Sequence, residues 1–125
     1  MLEHYRIIHE TIPYVVFPSI EEFSWLRHAC STRLGGVSAG IYATMNLGFQ
    51  NGDIRENVYE NYKRICNAIG VVPESVVHAK QTHKDQVRVV TREDRGKGYN
   101  RERDYDDIDA LVTNIPDVTL TILTA

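Results

Sequence analysis

Residues 53–68 read D-I-R-E-N-V-Y-E-N-Y-K-R-I-C-N-A. Val58, Tyr62, Ile65 and Cys66, with Ile69 just beyond, recur at steps of three and four, the period of a helix that buries one face. Asp53 is placed to cap the start, Glu56 three residues on completes a capping-box pattern, and Gly70 supplies the stop. Glu60 and Arg64 form an i,i+4 pair on the outer face, worth ~0.2–0.5 kcal/mol, so the apolar stripe must hold the helix down. Its role is structural.

Upstream, Thr11–Ser19 (T-I-P-Y-V-V-F-P-S) is β-branched and aromatic with prolines at its edges, which predicts an outer strand. Trp25–Thr32 predicts a second strand, running into Arg33–Gly40, whose glycines permit a sharp turn or close approach of backbone to a ligand. Downstream, Pro73 opens a turn before strands at Ser75–Gln81 and Gln86–Thr91. Thr91–Asp107 is charged, has two glycines and neither period, and reads as a long exposed loop. Asp109–Thr113 reads as a short strand hairpinned through Asn114–Asp117 onto V-T-L-T-I-L-T-A, Val118–Ala125. There Val118, Leu120 and Ile122 alternate at a period of two, as in a strand entering a core. One main helix among strands predicts an α+β fold built on a mixed β-sheet.

The 125 residues suit one domain able to bury a core without disulfides or metals. Fourteen basic against 17 acidic residues, net −3 and unclustered, lack the footprint of a nucleic-acid or anionic-membrane binder. Small molecules or proteins are the expected partners. Cys30 and Cys66 are too few for a disulfide framework and read as two reduced, packed thiols. The N-terminal M-L-E-H-Y-R carries acidic and aromatic residues where a signal peptide would have a basic patch and an apolar run, and no stretch is long enough to span a bilayer, so a cytoplasmic protein is expected.

Of the five histidines, His4 and His9 read as surface residues. His28 and Cys30, two apart on a strand, share a face and read as packed side chains before a metal pair. His78 and His83 are an odd number apart and would face opposite ways on one strand. His83 by itself reads equally as a hydrogen-bonded structural histidine or as a ligand or base. There is no Walker loop, dinucleotide fingerprint, H-E-x-x-H, C-x-x-C or G-x-S-x-G.

Six ordered segments are more telling: Cys30–Ser38 (C-S-T-R-L-G-G-V-S), Tyr42–Gly48 (Y-A-T-M-N-L-G), Gly52-Asp53 opening the helix, Gln81–Val87 (Q-T-H-K-D-Q-V), Asp109–Thr113 (D-A-L-V-T) and Leu123–Ala125 (L-T-A). In order and spacing they resemble the YfiH-like family, also called the multicopper polyphenol oxidoreductase or laccase-domain family, over nearly the whole chain. The resemblance implies a purine nucleoside phosphorylase and adenosine deaminase with a zinc centre of two histidines and one cysteine. His83, in the Q-x-H motif, matches the first histidine. The family's cysteine follows L-T-A as Asp-Cys and its second histidine comes later, so residues 1–125 are expected to be the N-terminal half of such a domain, truncated before the metal-binding cysteine. The chain alone is then expected to hold no metal tightly, and to self-associate or pair with the missing half.

The resemblance also implies purine nucleoside and phosphate as substrates. Arg33 offers a planar fork of donors for phosphate and the Gly35-Gly36 N–H groups can approach an anion closely; a salt bridge to Asp53 or Asp109 is an equal reading of Arg33. Asn46 is expected to order the loop or contact substrate at the catalytic site, a turn-capping side chain being the equal alternative. Ser31 is expected to line the substrate site, and Gln81 to line it or to hold the loop that presents His83. Two other classes stay open: an inactive fragment or binding half, and a copper-dependent polyphenol oxidase, for which the sequence lacks a His-x-His pair.

Overall fold

The structure, a computed structural model, describes residues 4–124. It is mixed α and β, with few helices and small sheets, in two compact units, Met1–Gly70 and Val71–Ala125. Among the described residues no helix is long and apolar enough to cross a membrane.

In the first unit, β1 (Arg6–Ile8), β2 (Tyr14–Val16) and β3 (Cys30–Ser31) form an antiparallel sheet in the order β1-β2-β3. The expected outer strand is therefore central. Pro13 and Pro18 lie outside Tyr14–Val16 and spoil neither ladder, and Pro18 opens the single-turn α1 (Pro18–Glu21). The expected strand over Trp25–Thr32 shrinks to Cys30–Ser31, because the Phe17 N–H that could extend the sheet donates instead to His28 Nε2 at 2.7 Å.

The long helix α2 (Arg55–Ile69) buries Val58, Asn61, Tyr62, Ile65 and Cys66 and ends at Gly70, whose φ of 80° is the left-handed stop the sequence predicts. Full burial of each such aliphatic side chain contributes about 1.5–3 kcal/mol. Its start differs from expectation: Ile54 is the N-cap, no side chain caps it, and Asp53 turns to the preceding loop. Phe49 stacks on Tyr62 at 5.5 Å between ring centroids, and the Arg55 guanidinium lies 5.0 Å from the Phe49 centroid, covering the first turn. Cys66 is buried as expected, whereas Cys30 is an exposed free thiol.

The second unit is built from parallel pairs: β4 (Val76–His78) with β7 (Thr119–Thr121), and β5 (Val87–Val89) with β6 (Ala110–Val112). The expected hairpin between the last two strands does not form. Thr113 Oγ1 donates to Val90 O and accepts from Ile115 N–H, and Asp117 takes a φ of 60°, so the connection carries the chain away from β6 rather than back along it. The last strand also faces the other way from expectation: Leu120 and Ile122 are 39% and 54% exposed. Thr119 Oγ1 and Ser75 Oγ lie 2.7 Å apart, and that contact fixes a pleat that sends the alternate apolar residues outward.

Thr91–Asp107 is irregular, as expected, but only partly exposed. Thr91 and Asp94 form a capping box on a single 3₁₀ turn, and Asp94, Gly96, Lys97 and Tyr99 are buried. Lys97 Nζ donates to Asp94 Oδ1 at 2.7 Å and reaches Asp104 at 3.0 Å, while Arg88 donates to Asp94 at 3.1 Å and stacks 4.4 Å from the Tyr105 centroid. Burial alone would raise the Asp94 carboxyl, but hydrogen bonds from Lys97, the Thr91 N–H and Arg88 bring it down to about 2.

Candidate functional site

The candidate residues fall in two groups, one in each unit. In the first unit, Ser31 ends β3, half-buried opposite Tyr14. The chain then turns at Arg33, whose carbonyl accepts from the Thr44 and Met45 N–H groups and from Thr44 Oγ1, at 2.8, 3.0 and 2.8 Å. Three bonds on one carbonyl lock the Arg33 backbone while its side chain stays exposed. Among the described residues the guanidinium meets the Ala43 carbonyl at 3.5 Å and makes no ion pair with Asp53.

The two glycines serve close packing within the loop. A Cβ on Gly36 would lie 2.1 Å from Thr44 O, and the Gly36 N–H, expected to face an anion, donates to Thr44 Oγ1 at 3.1 Å. Gly35, at φ 92°, presents its carbonyl to Arg64 Nη1 at 3.0 Å.

Asn46 closes the turn. Its Nδ2 donates to Gly48 O, Asn51 Oδ1 and Asp53 Oδ2, and its Oδ1 accepts from the Gly48 N–H and Asn51 Nδ2. Asp53 also accepts from Ser38 Oγ at 2.5 Å and from the Ile54 N–H. The hydrogen bonds from Ser38 and Asn46 hold its carboxyl below the usual range against a smaller opposing effect of burial. Fully buried Asn61 ties the loop to α2, accepting the Val37 N–H and donating to Ser38 Oγ and Asn46 O.

In the second unit, His78 ends β4 and is buried, whereas His83 lies beyond the strand and is exposed, so no continuous strand relates the two. Burial, with Arg103 adding to it, lowers the His78 imidazole to about 4. Gln81 does not hang free: its amide donates to Leu123 O and accepts the Leu123 N–H. His83 sits at φ 62°, a left-handed conformation that costs a non-glycine residue ~1–2 kcal/mol.

The compensation comes from Asp109 at the mouth of β6. Its Oδ1 accepts the Thr82 and His83 N–H groups and its Oδ2 the Lys84 N–H, each at 2.8 Å. The Lys84 N–H is the largest cause of an Asp109 carboxyl held below its usual value. Lys84 Nζ pairs with Asp107 at 3.4 Å and Lys80 with Asp106.

Reading the sequence left out the Asp109 clamp and the Asp53–Asn61 network. For Asp109 the signal was an acid opening a strand in a unit that also carries a short T-H-K turn. For Asn61 it was a polar residue on the apolar face of α2. Among the described residues no three His, Cys, Asp or Glu side chains come close enough to hold a metal ion.

The chain is 38% identical over 100 residues to a purine nucleoside phosphorylase of Mycobacterium tuberculosis, covering 80% of this chain and 37% of that protein. It is 38% identical over 98 residues to the purine nucleoside phosphorylase YfiH of Escherichia coli K12, covering 78% and 37%. The chain thus spans little more than a third of the length of these relatives. Its fold matches the crystal structure of the Bacillus licheniformis hypothetical protein YfiH with a TM-score of 0.81 at 25% identity, over 99% of this chain and 45% of that one. YlmD from Geobacillus stearothermophilus matches equally, at 0.81, 24% identity and the same coverage. The pattern of one family, described as multi-copper polyphenol oxidoreductase laccase, matches residues 27–125, a span that takes in both the Arg33 loop and the Asp109 clamp. This chain belongs to that family.

Proposed function

We propose that the chain carries part of a purine nucleoside-processing site, in which Arg33 binds the phosphate of a phosphorolysis reaction. The observation that carries this reading is an exposed guanidinium, free of any ion pair with Asp53, on a backbone locked by three hydrogen bonds. Such a fork can make two parallel bonds to phosphate oxygens, each charge-assisted. The relatives named purine nucleoside phosphorylase support the choice of substrate. Adenosine, inosine, guanosine or methylthioadenosine would be the nucleosides, adenosine deamination a second reaction of the same site, and the cytoplasm its location. Ser31 and Gly35 flank the anion in this reading, Asn46 orders the loop, and Gln81 anchors the segment before His83.

A catalytic zinc centre takes three protein donors. His83 brings one imidazole, so the described residues do not by themselves fit a zinc ion, and no step is derived through one. His83 would serve as one ligand of a centre whose other donors lie outside residues 1–125, in a C-terminal half or through self-association. That lone donor favours a second reading, in which the 125 residues alone are a catalytically silent binding half. Copper-dependent phenol oxidation would need clustered imidazoles, and the described residues bring none together.

Phosphate binding to the purified chain, followed by phosphorus NMR linewidth, tests the Arg33 assignment without requiring turnover. Arg33→Ala should weaken it by about 10–100-fold, the worth of a charge-assisted pair; unchanged binding removes the assignment. Where a complementing chain restores activity, the same substitution should depress phosphorolysis more than deamination. Zinc uptake and adenosine turnover when a complementing chain is added separate the two readings: both should appear in the first and neither in the second.

A further inference from the structure

We infer that Asp109 is the positioning residue for His83: its carboxylate gathers three successive backbone N–H groups and so imposes the backbone from which the imidazole projects. This rests on the reading of His83 as a metal ligand, and it adds the residue that prepares that ligand. His83 takes a φ of 62°, and in that conformation the Thr82, His83 and Lys84 N–H groups converge on one carboxylate. Concave runs of backbone N–H are natural anion sites, and here the anion is a side chain of the protein.

The segment is secured elsewhere too. Gln81 holds it upstream through Leu123, and Lys84 Nζ reaches Asp107, which Thr82 also hydrogen-bonds. The imidazole itself stays exposed. A ligand held by its backbone needs no reorganisation when a metal or substrate arrives, and precise geometry is what such ligands require.

Hydrogen exchange of the nitrogen-15-labelled chain tests this, with Asp109→Asn as the main variant. Asn keeps one acceptor and turns an NH₂ donor toward the remaining N–H. The Lys84 amide, or the Thr82 and His83 pair if the side chain flips, should lose protection by at least about tenfold, while Val77 and Val90 keep theirs. The strong intraresidue HN–Hα contact that marks positive φ at His83 should weaken with it. Protection and contact both unchanged would overturn the inference, as would an even loss across the whole unit.

Should Asp109→Asn fail to fold, hydrogen exchange of the unaltered chain gives the same answer. The Thr82, His83 and Lys84 amides should be protected as a group, with the strong HN–Hα contact at His83. Three amides that exchange as freely as an open turn overturn the inference. His83→Gly and a titration with Zn²⁺ in the presence of a complementing chain keep the two ideas apart: the glycine should preserve the three protected amides, and Zn²⁺ should perturb the His83 ring of the unaltered chain. A silent ring with intact amides removes the ligand reading and leaves the clamp standing.

Discussion

Gln81 meets the backbone of Leu123 as a neighbouring strand would, its Nε2 donating to Leu123 O at 2.9 Å and its Oε1 accepting the Leu123 N–H at 2.8 Å. A side-chain amide can do this because it carries a donor and an acceptor side by side, as the peptide group does. Gln81→Glu keeps the acceptor but sets a carboxylate against a carbonyl oxygen. It should destabilise the second unit by about 1 kcal/mol and speed exchange of the Leu123 amide; urea unfolding and hydrogen exchange read the two effects.

Gly36 and Gly40 should respond very differently to alanine. At Gly36 the new Cβ would lie 2.1 Å from a backbone oxygen that Ser38 also uses, so the Arg33 loop must shift, at a cost of about 3 kcal/mol or more. At Gly40 nothing lies within 4 Å, and the φ of 62° alone should cost about 1 kcal/mol. Thermal unfolding of the two variants should rank them in that order, with phosphate binding lost in the first.

Asn61→Ala removes a side chain holding three partners at zero exposure, and should cost about 2–4 kcal/mol. Leu120→Thr, at a position the sequence pattern assigns to the core, should cost less than about 1 kcal/mol because that side chain faces out. Urea titrations of both decide the matter, and a large loss at Leu120 would reverse the assignment of the exposed face.

Acid should weaken the second unit in two stages. His78 is held neutral inside, with a value of about 4 against an ordinary 6.5, so the unfolded chain takes up a proton that the fold refuses. Stability therefore falls as pH drops from about 6.5 to 4, by about 3 kcal/mol in full. Asp94, at about 2 against 3.8, contributes stability present above pH 3.8 and lost as pH falls toward 2. Urea midpoints between pH 8 and 2 should show both stages, and His78→Asn should flatten the first alone.

Much of this was legible in the sequence, and the failures share a cause. The stripe Val58, Tyr62, Ile65 and Cys66 and the stop at Gly70 are local signals, and helix α2 follows from them. Most later strand positions were legible for the same reason, but β1 and the true extent of β3 were not, nor were strand partners. Which edge Val76–His78 takes depends on residues far along the chain, and no period records that. The 91–107 segment misled because its charges signal solvent until Asp94 and Lys97 are seen to neutralise each other in the interior. At the candidate site, motif resemblance drew attention to Arg33 and His83, whereas the groups fixing their backbones, Thr44 and Asp109, are ordinary residues whose importance lies in where the fold puts them.

The parallel pairing of β4 with β7 has a consequence for biosynthesis. Ser75 and Thr119, whose hydroxyls meet beside that ladder, are 44 residues apart. A ribosome releases the chain in order, so Val76, Val77 and His78, all buried in the finished unit, emerge with no strand to pair with. They wait for residues 119–121 to clear the exit tunnel, several seconds at ~5–20 residues per second. During that interval the first unit, complete by Gly70, can fold, while the nascent second unit shows water and chaperones the apolar strand that it later hides.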